Sequence, residues 1–120
     1  MRPTVVIADD QSDLRHLLRL LLERDGRLVV AGDAADGRLA LEMVEELDPD
    51  LLLLDLGMPG MDGLEVLAAL AGRARPRTVV LTGFTDDATI EEARQLGAVR
   101  CLVKGAGFGG LADALLDALD

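Results

Sequence analysis

Aromatic side chains are nearly absent. The chain has no Trp, no Tyr and two Phe, at Phe84 and Phe108, so large stacking platforms for flat ligands are excluded. One cysteine, Cys101, excludes an internal disulfide and any cysteine-rich zinc site. One histidine, His16, excludes a histidine-based metal centre. Positive charge is scarce: 12 Lys and Arg stand against 22 Asp and Glu, a formal net charge of −10. That argues against direct nucleic-acid binding by this segment through its own field. No apolar run approaches the roughly 20 residues needed to cross a bilayer, and residues 1–8 hold no long apolar signal core. A cytoplasmic domain that touches no membrane fits these absences.

What is present is a repeating pattern. Half of the 120 residues are apolar, enough for one folded domain, expected to span residues 1–120 with one core. Short apolar runs at 4–8, 28–32, 51–55, 78–82 and 99–103 alternate with helical patterns. Such runs read as buried parallel strands. The first helix is expected from Ser12, as N-cap, to a stop before Gly26. The second runs from about Asp36 to Leu47, ahead of Pro49. Asp62 and Glu65 form a capping-box pattern for the third, which fades at Gly72. The fourth runs from Asp86 or Asp87 to Leu96, with Gly97 as its stop. The fifth covers about Gly110 to Leu119, with Leu111, Leu115 and Ala118 on one face; the glycines at 105, 107, 109 and 110 leave its start weakly capped. The expected architecture is α/β, a single doubly wound flavodoxin-like domain with a parallel sheet of order 2-1-3-4-5.

The apolar runs end in polar groups: Asp9-Asp10, Asp55, Thr82 and Lys104. In open parallel sheets the ligand site lies beyond the carboxyl ends of the strands, so these side chains converge on one pocket. Three carboxylates brought together repel one another without a cation, and Mg2+ prefers oxygen ligands. Two or three of the carboxylates of Asp9, Asp10 and Asp55, one backbone carbonyl and water would satisfy it. Asp55 is the candidate nucleophile, able to form an acyl phosphate. Thr82 offers a hydroxyl and Lys104 a compact positive charge to phosphoryl oxygens. Gly57 and Gly83 expose backbone N–H groups beside them. The blander reading of Asp9-Asp10 is a cap for the first helix.

These residues resemble the response-regulator receiver domain of two-component signalling over essentially the whole length. The resemblance rests on Asp9-Asp10, on Asp55-Leu56-Gly57-Met58-Pro59-Gly60-Met61-Asp62-Gly63, on Leu81-Thr82-Gly83 and on Val103-Lys104. It implies that Asp55 accepts a phosphoryl group from a sensor histidine kinase. Asp10 then ligates Mg2+ directly, Asp9 mainly through water, beside Asp55 and the backbone carbonyl of Gly57, and Thr82 and Lys104 contact the phosphoryl group. The segment Leu102–Ala106 resembles the subfamily whose output is a helix-turn-helix DNA-binding domain, here to be sought beyond Asp120. Two positions depart from the family pattern. Cys101 stands where Tyr or Phe is usual, and Gly105 where Pro is common after the lysine. The switch set is therefore Thr82, Phe84 and Cys101, with Phe84 either shielding the phosphoryl group or packing on the fourth helix. A trans Lys104–Gly105 bond is expected, since a cis bond without proline costs about 2.5–4 kcal/mol.

Six leucines lie in the first helix: Leu14, Leu17, Leu18, Leu20, Leu21 and Leu22. Leu18 and Leu21 are expected in the core. For Leu14, Leu17 and Leu20, core packing and an exposed kinase-docking role stand side by side. His16 falls with Arg15, Arg19 and Glu23 on the charged, solvated side. A homodimer is compatible with the sequence. Three rivals are weighed. A phosphatase with an aspartate nucleophile wants a second acid two residues on, where Gly57 stands. A flavin protein wants a hydroxyl-rich phosphate loop, where Asp9-Asp10-Gln11 stands. A phosphorylation-independent interaction module is the third.

Overall fold

The computed structural model describes residues 1–83, 86–105 and 107–120. The expectations for Phe84, and for Ala106 within the output-type segment, lie outside the described residues. The chain alternates β1 (Thr4–Ala8), α1 (Ser12–Asp25), β2 (Val29–Ala34), α2 (Gly37–Leu47) and β3 (Leu51–Leu54). It continues with α3 (Gly63–Leu70), β4 (Arg77–Thr82), α4 (Asp87–Gln95), β5 (Ala98–Val103) and α5 (Leu111–Asp117). The five strands form one parallel sheet of order β2-β1-β3-β4-β5, as the sequence pattern predicts.

Side chains alternate across a strand, so each apolar run feeds two cores. Val6, Ala8, Leu52, Leu54 and Val80 face α2, α3 and α4, meeting Val44, Val66, Leu67 and Ala93. Val5, Ile7, Leu51, Leu53, Val79 and Leu81 face α1 and α5, meeting Leu18, Leu22, Leu111 and Leu115. All four leucines of β3 are buried, each contributing about 2 kcal/mol by the area of apolar surface removed from water. The central strand is thus held from both faces, which fixes the position of the residue that follows it.

Several boundaries differ from expectation. β2 spans Val29–Ala34 rather than 28–32, because the β1 ladder continues through Ile7–Asp33 and Ala8–Ala34. Asp33 is tolerated there because two arginines meet it. β3 ends at Leu54, leaving Asp55 just outside. Gln11, not Ser12, is the N-cap of α1, and its side chain makes no capping bond. α5 is shorter than expected and starts after Gly110 at φ 92°, also without a side-chain cap. Leu22, not Leu21, takes the second buried position of α1; Leu21 is half-buried. The capping box of α3 is present, with Asp62 accepting from the Glu65 N–H and Glu65 from the Asp62 N–H. The one cis peptide bond among the described residues joins Arg75 and Pro76. Lys104–Gly105 is trans, and Gly105 takes φ 91°.

Candidate functional site

Main-chain bonds beyond the strand ends fix where the acids project. The Asp9 N–H donates to the Ala34 carbonyl at 3.0 Å and the Asp55 N–H to the Ala8 carbonyl at 2.9 Å. The Lys104 N–H donates to the Thr82 carbonyl at 2.8 Å. Parallel pairing therefore continues by one residue on β1, β3 and β5, and delivers the polar side chains to one edge of the sheet.

Asp9 and Asp55 are buried, at 1% and 5% exposure, while Asp10 is exposed. One carboxylate oxygen from each of Asp9, Asp10 and Asp55 lies within 4.8 Å of the other two. Lys104 Nζ stands 2.9 Å from Asp9 Oδ2 and 3.2 Å from Asp55 Oδ2. The other oxygens are also engaged: Asp9 Oδ1 accepts the Gln11 N–H at 2.8 Å, and Asp55 Oδ1 the Gly57 N–H at 3.2 Å. So Asp9 both belongs to the acidic cluster and orders the turn before α1, and it does not cap the helix itself. A cleft of about 330 Å³ opens over the group, lined by Asp10, Gln11, Asp55, Gly57, Gly83 and Lys104. Thr82 is fully buried at the end of β4, paired with Val103 of β5, the residue before Lys104.

Charge is not balanced here. Three carboxylates cluster around one ammonium, which pairs with Asp9 and Asp55. Burial pushes the Asp55 carboxyl above the usual carboxylate range; the Asp9 charge adds to this, and the Gly57 N–H and Lys104 offset only part of it. For Lys104, burial pulls the ammonium down, but the bond to Asp9 and the charges of Asp55 and Asp9 outweigh it, and its pKa lies above the ordinary lysine value. The donor set is all oxygen, hard and anionic, which fits a divalent cation of the magnesium type. Asp9, Asp10 and Asp55 are the side chains able to hold it.

Other expected site residues lie elsewhere. Cys101 pairs with Val80, two positions back from the Thr82–Val103 pair, and packs half-buried against the α2–α3–α4 core. Burial raises its thiol pKa, against the pull of Arg94. Leu17 and Leu20 are exposed on α1, while Leu14 packs partly into the core. His16 is exposed.

Two residues near the site carry more than their sequence positions suggest. Gly63 opens α3 against the exit of β3; a Cβ there would stand 2.5 Å from the Asp55 carbonyl oxygen. The sequence signal was the Asp62-Gly63 pair, readable as a cap but not as a close approach. Arg15 donates to the Asp9 carbonyl at 2.7 Å. Its signal was spacing alone, one helical turn into α1 after the acidic pair.

Comparisons with known proteins bear on the family and the fold. The family model described as "Response regulator receiver domain" matches residues 5–116. The positive alginate biosynthesis regulatory protein of Pseudomonas aeruginosa is 41% identical over 112 residues, 92% of this chain and 45% of that protein. Protein-glutamate methylesterase/protein-glutamine glutaminase 5 of Myxococcus xanthus is 46% identical over 102 residues, 83% of this chain and 29% of that protein. The chain thus spans less than half the length of these two curated relatives. Among solved structures, a DNA-binding response regulator of the LuxR family from Staphylococcus aureus superposes with a TM-score of 0.91 at 27% identity, covering 98% of this chain and 99% of that one.

Proposed function

This chain belongs to the response regulator receiver domain family, a part of two-component signalling, and on that footing we propose that it is a phosphorylation switch with Asp55 as its acceptor. The observation that carries the reading is the shared ammonium: Lys104 reaches both Asp9 and Asp55, in a pocket with three convergent carboxylates. A carboxylate oxygen of Asp55 attacks the phosphorus of a kinase phosphohistidine. The O–P bond forms, the P–N bond breaks, and the imidazole nitrogen keeps the electron pair. Lys104, already 3.2 Å from Asp55 Oδ2, pairs with the charge on the transferring oxygens. Thr82 and the N–H groups of Gly57 and Gly83 donate to those oxygens. Asp9, Asp10, Asp55 and the Gly57 carbonyl would hold Mg2+, which when bound would supply further neutralisation of the phosphoryl charge.

Beyond its own phosphorylation and dephosphorylation the chain acts on no diffusible substrate. Gly57 stands where an aspartate-nucleophile phosphatase places its acid. The exposed Leu17 and Leu20, on the helix that begins beside the cleft, form the docking surface for the kinase, with Leu14 contributing its exposed edge. Residues 1–120 act as one receiver unit in the cytoplasm. No helix among the described residues is long and apolar enough to cross a membrane. A DNA-binding domain beyond Asp120 is the output that the LuxR-family likeness supports, and a homodimer is compatible with this reading.

Intact-mass measurement after incubation with magnesium and a small phosphodonor tests the reading. The wild type gains one phosphoryl group and Asp55→Ala gains none. An adduct that survives in Asp55→Ala overturns the assignment.

A further inference from the structure

We propose that Arg15, anchored by Asp33, is a positioning residue that holds the Asp9–Asp10 peptide in place and so sets the affinity of the acidic pocket for a divalent cation. This rests on the phosphoryl-switch reading of that pocket. The turn from β1 into α1 is closed by Asp9 Oδ1 on the Gln11 N–H, but the Gln11 N-cap makes no side-chain bond to the helix. Arg15 supplies support from the far side. Its backbone N–H bonds the Gln11 carbonyl at 2.9 Å, and its guanidinium donates to the Asp9 carbonyl at 2.7 Å and to Asp33 Oδ1 at 2.8 Å. The Arg15 side chain is only 19% exposed.

A peptide group is planar. Fixing the Asp9 carbonyl therefore fixes the plane that carries the Asp10 nitrogen and Cα. Asp10 is the exposed member of the cluster, so its orientation depends on that plane more than on packing. Asp33 is a firm anchor. It sits one residue before the end of β2, paired with Ile7, and also accepts from Arg19. Burial favours its neutral form, yet the bonds from Arg19 and Arg15 outweigh this and hold its carboxyl below the usual range. A planar, forked cation suits two acceptors at fixed angles in a way that an ammonium does not.

Positioning and plain electrostatics predict opposite outcomes. The Arg15 charge disfavours a nearby cation, so on charge alone its removal tightens magnesium binding. On the positioning role its removal weakens binding, by about tenfold, as is usual for groups that orient metal ligands. Calorimetric titration of metal-free protein with magnesium, at temperatures where melting curves show each variant folded, separates them. Arg15→Gln is expected to bind about tenfold more weakly. Arg15→Lys keeps the charge and loses the fork, so weakening there excludes a charge effect and decides the matter should Arg15→Gln fail to fold. Arg19→Gln, which touches Asp33 but not Asp9, leaves affinity unchanged. Wild-type affinity in Arg15→Lys, or equal or tighter binding in Arg15→Gln, overturns the positioning role while leaving the pocket reading intact. A wild type that binds no magnesium overturns the pocket reading and this role with it.

Discussion

Two aspartates flank the four leucines of β3, and their surroundings are opposite. Asp50, before the strand, accepts the Thr4 N–H at 2.8 Å and the Thr4 hydroxyl at 3.3 Å on one oxygen, and has Arg75 3.4 Å from the other. Its own N–H bonds the Thr4 carbonyl at 3.1 Å and its carbonyl accepts from the Arg77 N–H at 3.0 Å. Asp55, after the strand, shares one ammonium with Asp9 and lies near Asp10 as well. The amino end of the sheet is saturated with local donors; the carboxyl end carries a surplus of acceptors. The same residue type staples one end together and leaves the other ready for a ligand. The difference lies in the donors that the neighbouring strand ends supply.

The sharpest way to break this contrast is Lys104→Ala. It leaves two buried carboxylates uncompensated, and without divalent cations it is expected to cost about 3 kcal/mol, the scale of breaking a buried pair. Added magnesium should then raise the melting temperature of the variant more than that of the wild type. Because the folded pKa of Lys104 is raised, the stability it lends is present below the ordinary lysine pKa and is lost as pH rises through the folded value. The gap between wild type and variant should therefore close in alkali. Equal stability of the two at neutral pH refutes the surplus-charge account. Asp50→Ala should cost less, about 1–2 kcal/mol for a stranded Thr4 N–H, and denaturant melts should give the same loss with and without magnesium. A magnesium-dependent loss would erase the distinction between the two ends.

The smallest effect has the opposite sign. The folded pKa of Asp55 is raised, so its carboxyl favours the fold below the unfolded carboxylate pKa and loses that contribution as pH rises through the folded value. Asp55→Asn should accordingly melt a few degrees above wild type at neutral pH without metal. The gain should vanish below the carboxylate range, near pH 3. A variant less stable than wild type at neutral pH counts against it.

The fold was readable because each strand is a short apolar run bounded by turn residues and each helix keeps its own period. The site was readable because those runs end in Asp9, Asp55, Thr82 and Lys104, and a parallel sheet aligns such ends. What escaped the sequence depended on contacts between distant elements. Helical periodicity placed Arg15 among the solvated residues of α1; its partners, Asp33 and the Asp9 carbonyl, come from two strands. The limit of β2 was missed because the charged Asp33 interrupts the apolar run, while the β1 ladder carries the strand onward through it. Leu21 and Leu22 differ by a single 100° step around the helix, finer than pattern reading resolves.

The seating of α3 on the exit of β3 bears on how such a chain can vary over generations. The Gly63 N–H bonds the Leu56 carbonyl at 3.1 Å, so the six residues from Gly57 to Asp62 form a loop whose two ends are tied to each other. Gly63 is pressed against the Asp55 carbonyl and the Asp62–Glu65 box locks the following turn. A loop closed in this way has no slack. An inserted or deleted residue must displace either Asp55 or the helix, unlike an insertion in an open surface loop, which costs little. Diversity in this segment is therefore confined to side-chain identity. Pro59 and Gly60 face outward, while Met58 is buried. Point substitution at Pro59 can change this outward surface with the length of the segment held constant, whereas Gly60, at φ 70°, favours glycine.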